Sequence, residues 1–129
     1  MPNDTRHYLP ELDIEFLREK GFGFEEQQVG GEVHLIIRNF PLPPAYVPRT
    51  CDLLLKLPAG FPNANPDMFW TSPIVHLATG ADPMSASVLE VCNGSTWQRW
   101  SRHCTSWRPG IDGLRSKLRS VQAELELGR

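Results

Sequence analysis

The segment Leu57-Pro58-Ala59-Gly60-Phe61-Pro62-Asn63-Ala64-Asn65-Pro66-Asp67-Met68-Phe69-Trp70 limits the possible folds more than any other part of the chain. Each proline fixes φ, removes an N–H and pushes the residue before it toward extended backbone. Three prolines between residues 58 and 66 therefore predict a stiff, extended, non-helical connection. Upstream, Cys51, Leu53, Leu55 and Leu57 recur at period two, the pattern of a strand lying on a core. Downstream, Met68-Phe69-Trp70-Thr71 is short and aromatic and reads as a second strand.

Around that connection the chain alternates helical and strand signals. Residues 9–20 carry a proline in the first turn, acids early, bases late and Gly21 as a stop, which predicts a helix with Leu9, Leu12 and Phe16 as its packing stripe. Glu25 to Val29 reads as a polar strand, Gly30-Gly31 as a hairpin turn, and Glu32 to Arg38 as a strand with Val33, Leu35 and Ile37 inward. His34 falls on the opposite face, where a solvated position is expected. Residues 39–48 are too rich in proline for regular structure. In the last part of the chain Ile111, Leu114, Leu118, Val121 and Leu125 recur at three and four, an amphipathic helix with its stripe against the sheet. The order predicts an α+β fold in one domain, residues 1–129: an amino-terminal helix, an antiparallel meander of about four strands, a long loop of the kind that carries active sites, and a carboxyl-terminal helix packed on the sheet.

Charge is nearly balanced, with 13 basic and 15 acidic residues, so the totals give no reason to expect capture of nucleic acid or of an anionic membrane. No apolar run approaches the roughly 20 residues that span a bilayer, and Met1-Pro2-Asn3-Asp4-Thr5 lacks a basic-then-apolar leader pattern, so the cytoplasm is the expected location. The three cysteines are expected as free thiols. Cys51, on the apolar face of its strand, is expected to act as a small hydrophobe. No pair among His76, Cys92, His103 and Cys104 has a Cys-x-x-Cys or His-x-x-x-His spacing, so neither a metal site nor a cofactor is expected.

Three motifs in order then carry a resemblance. Phe61-Pro62-x-x-x-Pro66 followed by Phe69 and Trp70, the run Trp70-Thr71-Ser72-Pro73-Ile74-Val75-His76, and Trp107-Arg108-Pro109 ahead of the last helix resemble the signatures of ubiquitin-conjugating enzymes. The chain resembles the trimmed bacterial branch of that superfamily, commonly found with an activating-enzyme-like protein, a ubiquitin-like protein and a JAB-type metallopeptidase. The resemblance implies transfer of a ubiquitin-like protein through a cysteine thioester, with the activating-enzyme-like and ubiquitin-like proteins as partners. A non-catalytic adaptor of the same fold is the alternative, and a binder of single-stranded nucleic acid is a further and less favoured one.

In that family the cysteine lies between the histidine and the tryptophan motifs. Here Cys92 lies 16 residues after His76 and 15 before Trp107, while Cys104 lies only 3 before Trp107. Neither matches both family spacings, and His76 is followed by Leu77-Ala78 where the family has proline and asparagine. Either an insertion has relocated the nucleophile or the fold is kept without one. A thiolate is a strong nucleophile near neutral pH and leaves readily from a thioester, and the tetrahedral intermediate needs an oxyanion donor. Cys92 is the leading candidate nucleophile, Asn93 the candidate oxyanion donor and His103 the candidate base or orienting group. Trp97, Arg99, Trp100 and Arg102 interleave the two residue types most enriched at binding hot spots, which marks a candidate partner-binding surface; the competing reading packs the tryptophans on the sheet.

Overall fold

The computed structural model describes residues 7–92, 94–103 and 106–129. Helix α1, Glu11–Glu19, follows Pro10, and its first turn carries Glu11 and Asp13 while Arg18 sits in the last. The buried positions are Ile14 and Leu17, three residues apart on one face. Leu9 is buried just ahead of the helix, and Phe16 packs against the core. Leu12 departs from the expected stripe: it is 76% exposed, because the Ile14/Leu17 face is the one turned inward.

Strands β1, Gly23–Val29, and β2, Glu32–Pro41, form the hairpin expected at Gly30-Gly31, with Val29 opposite Glu32 and Gly30 at φ 61°. Strand β3 is Tyr46–Val47, β4 is Thr50–Leu57, β5 is Phe69–Ser72 and β6 is His76–Leu77. A last hairpin joins β7, Val88–Cys92, to β8, Ser95–Trp100. The main sheet runs β1-β2-β4-β5-β8-β7, antiparallel at every junction, and β3 pairs with β6 in a small second sheet. Among the described residues the main sheet thus has six strands where about four are expected, and β3 and β6 add two more outside it. The extra two in that sheet come from residues 88–100, where a long loop is expected, because residues 88–92 pair one for one with residues 95–99.

The connection after β4 also differs from its expected extended form. The N–H of Phe61 donates to Pro58 O and those of Asn63 and Ala64 to Gly60 O, so it winds through tight turns around Gly60, which has φ 90°. Helix α2, Leu114–Glu126, buries Leu114, Leu118, Val121 and Leu125 as the periodicity predicts. Ser116 Oγ accepts from the Gly113 N–H at 2.9 Å, satisfying one donor at the helix start. Ile111 lies ahead of the helix and is exposed, so it drops out of the stripe.

Two apolar clusters result. The larger joins α1 and α2 to one face of the sheet through Leu35, Ile37, Leu53, Leu55, Phe69 and Trp100. The smaller, Ile36, Leu54, Trp70 and Trp97, with Met68 and Cys92 packed against it, covers part of the other face. Both faces of β2 are therefore buried along Leu35–Ile37. His34 is buried too, 3% exposed, which overturns its expected solvated position.

Candidate functional site

Cys92 ends β7, and Val88, Glu90 and Cys92 alternate onto the face that carries Trp70. Three polar contacts fix the hairpin over that face. Trp70 Nε1 donates to Glu90 Oε1 at 2.6 Å, and Arg99 donates to Glu90 Oε2 at 3.1 Å. Lys56 Nζ lies 3.7 Å from Glu90 Oε1 and 4.3 Å from the centre of the Trp70 ring. The Trp70 hydrogen bond first, then Lys56 and Arg99, hold the Glu90 carboxyl below the ordinary carboxylate range. Trp97 Nε1 donates to the carbonyl of Cys92 at 3.1 Å, pinning the end of the strand.

Thus anchored, the Cys92 Sγ lies 3.5 Å from His34 Nδ1, and His34 Nε2 lies 3.2 Å from Glu32 Oε1. With the ring proton on Nε2, where the Glu32 carboxylate can accept it, Nδ1 turns its lone pair toward the thiol. Cys92, His34 and Glu32 thus place a thiol, an imidazole and a carboxylate in the order that nucleophilic triads use. His34 escaped the sequence reading because 58 residues separate it from Cys92. The available signal was a histidine inside the run Val33–Ile37, since an apolar run without clean alternation marks a strand buried on both faces.

The other sites named from sequence fall elsewhere. His103 Nδ1 pairs with Asp67 Oδ2 at 2.6 Å, and His103 lines a hollow with Phe69, Ser106 and Lys117 beside α2. Asn93 and Cys104 lie outside the described residues. Of the four residues expected at a partner surface, Trp97, Trp100 and Arg102 are buried and Arg99 is half-buried. Trp100 Nε1 donates to Thr71 Oγ1 at 2.8 Å, and its ring stacks on Phe69. The Arg102 guanidinium lies over the Trp100 ring and donates to the carbonyls of Met84, Glu124 and Arg129. His76 lies 3.7 Å from Asp82. Burial, with the carboxylate of Asp52 adding to it, pushes the Cys51 thiol up to about 12, so at neutral pH it is an inert hydrophobe. Among the described residues no group of three or more His, Cys, Asp or Glu side chains is placed to hold a metal ion.

Two of the sequence motifs meet. Trp107 Nε1 donates to Pro62 O at 2.9 Å, its ring packs on Phe61, and Asn63 Oδ1 accepts from Gly110 N–H at 3.0 Å. The turn after β4 is thereby tied to the approach to α2. The model of the family described as Prokaryotic E2 family E matches residues 9–128, from just before α1 to just past α2. The chain belongs to prokaryotic E2 family E. No curated protein and no solved structure matches it. Membership in this E2 family brings a ubiquitin-conjugation-like role and, in general terms, interaction with an activating enzyme or a ubiquitin-like protein. Among the described residues of this E2-family chain, no helix is long and apolar enough to cross a membrane.

Proposed function

We propose that the chain is a single ubiquitin-conjugating-type domain in which Cys92 carries a ubiquitin-like protein as a thioester. The observation that carries this reading is the contact of the Cys92 thiol with His34 Nδ1, whose other nitrogen meets Glu32. His34 takes the thiol proton as Cys92 sulfur attacks the thioester carbonyl that joins the ubiquitin-like protein to the activating enzyme. The tetrahedral intermediate collapses, the activating enzyme's sulfur leaves, and the proton on His34 restores its thiol. A substrate amine then attacks the Cys92 thioester, an amide forms, the C–S bond breaks and Cys92 regains its proton. Asn93, next in the chain, is the proposed oxyanion donor; oxyanion donors of this kind give large rate effects elsewhere.

The experiment incubates the protein with the activating-enzyme-like and ubiquitin-like proteins of its own organism and ATP, then compares intact mass with and without reductant. A thiol-sensitive adduct on wild type and Cys104→Ala but not Cys92→Ala supports the proposal. An adduct that survives Cys92→Ala overturns it. A stable complex with either partner and no adduct on any variant identifies an adaptor, the reading favoured by the absence of proline and asparagine after His76.

A further inference from the structure

The two edges of the main sheet are built differently. At one edge, β1 carries Glu25, Glu26, Gln27 and Gln28, and charged and polar residues of this kind blunt an edge against strand addition. At the other, β7 is Val-Leu-Glu-Val-Cys, with no lysine, proline or bulge. Its single charge, Glu90, is turned onto the sheet face by Trp70, Lys56 and Arg99. Leu89 and Val91 point the other way and are 51% and 79% exposed.

The register settles which backbone groups are open. Cys92 pairs with Ser95, three positions on in the chain, and a closing pair of that separation exchanges hydrogen bonds. Alternation then turns the N–H and C=O of Val88, Glu90 and Cys92 toward β8, and those of Leu89 and Val91 outward. The open edge is a β-branched, apolar strand that ends on the candidate nucleophile.

We propose that this edge receives the extended carboxyl-terminal tail of the ubiquitin-like protein as an added, parallel strand. The inference rests on Cys92 as the acceptor, and Cys92 fixes the direction. A parallel tail runs with β7 and brings its terminal carboxyl to the Cys92 end. An antiparallel tail brings it to Val88, about 13 Å away at roughly 3.3 Å per residue. Leu89 and Val91 offer the tail's apolar side chains a surface, while the outward N–H and C=O groups supply ladder bonds, as in other strand-addition complexes.

The test is amide hydrogen exchange on wild type and on Cys92→Ala, each with the free ubiquitin-like protein of its own system and with the same protein lacking its carboxyl-terminal tail. Protection of the Leu89 and Val91 amides in both forms of the chain, lost with the truncated partner, is the expected result. Because no thioester is required, the outcome is independent of the carrier reading: protection without any adduct leaves the edge standing and sinks the carrier, whereas an adduct without protection does the reverse. Val91→Pro, which removes an outward donor, and Val91→Lys, which charges the edge, are each expected to weaken binding about tenfold. Protection confined to other strands, protection indifferent to the tail, or none at all overturns the proposal. So does a stable dimer whose own β7 amides are protected without partner, since the edge would then belong to a second copy.

Discussion

Replacing His34 with phenylalanine removes both ring nitrogens while keeping a planar ring of similar size at a buried position in β2. The losses include the 3.5 Å contact with Cys92 Sγ and the 3.2 Å contact with Glu32. As the thiol proton passes to Nδ1 the first becomes a hydrogen bond between charged groups, worth about 1.5–3 kcal/mol. At about 1.36 kcal/mol per tenfold, His34→Phe slows attack by Cys92 about ten- to 150-fold. Glu32 is half exposed, so its contact is worth about 0.5–1 kcal/mol, and Glu32→Gln slows attack only about two- to fivefold. The two effects differ enough to separate a proton acceptor from its orienting partner. The assay is the rate of iodoacetamide modification of Cys92 at pH 7 by intact mass, in a Cys104→Ala background, beside a thermal melt showing cooperative unfolding. Modification of His34→Phe within twofold of the parent, with the melt intact, would show that His34 does not take the thiol proton.

Other outcomes follow from the same structure. Cys51, with its thiol pushed up to about 12, stays unmodified under the conditions that label Cys92 and reacts only when denaturant unfolds the sheet. Glu90→Gln loses the charged contacts with Lys56 and Arg99 but keeps an acceptor for Trp70, and urea denaturation at pH 7 registers a loss of at most about 1 kcal/mol for so exposed a group. Because the folded Glu90 carboxyl sits below its unfolded value of about 4.3, that advantage is complete above this pH and fades as pH falls through the folded value. Wild type and Glu90→Gln therefore converge in acid; a gap that widens there contradicts the network. Leu55→Ala, at a fully buried β4 position, costs about 2–5 kcal/mol by urea denaturation and leaves the Cys92 face intact.

The elements legible in the sequence are those whose periodicity meets one core. Leu114, Leu118, Val121 and Leu125 bury as a helical stripe, and Cys51, Leu53, Leu55 and Leu57 bury as one face of β4. The turn at Gly30-Gly31 was written in glycine. What escaped was set by contacts between distant residues. Residues 88–92 are mostly exposed and short, so their alternation carries a weak signal until β8 pairs with them. Tryptophan and arginine between residues 97 and 102 suggest a surface by composition. Yet Gln98, buried beside them, bonds to Thr71, Val75 and Ala86 and shows that this stretch is an inner strand. Cys92 was singled out by its chemistry, but its partner on β2 becomes visible only when the hairpin folds across the sheet.

Whether Cys92 sulfur bears the ubiquitin-like protein is read from Cys92→Ser. Serine puts oxygen where the sulfur was, so any trapped intermediate changes from a thioester to an ester. Incubated with the activating enzyme, the ubiquitin-like protein and ATP, wild type is predicted to give an adduct released by thiol, and Cys92→Ser one that resists thiol and is released by mild alkali. A Cys92→Ser adduct still released by thiol would place the acyl group on another cysteine and rule out Cys92 as the carrier.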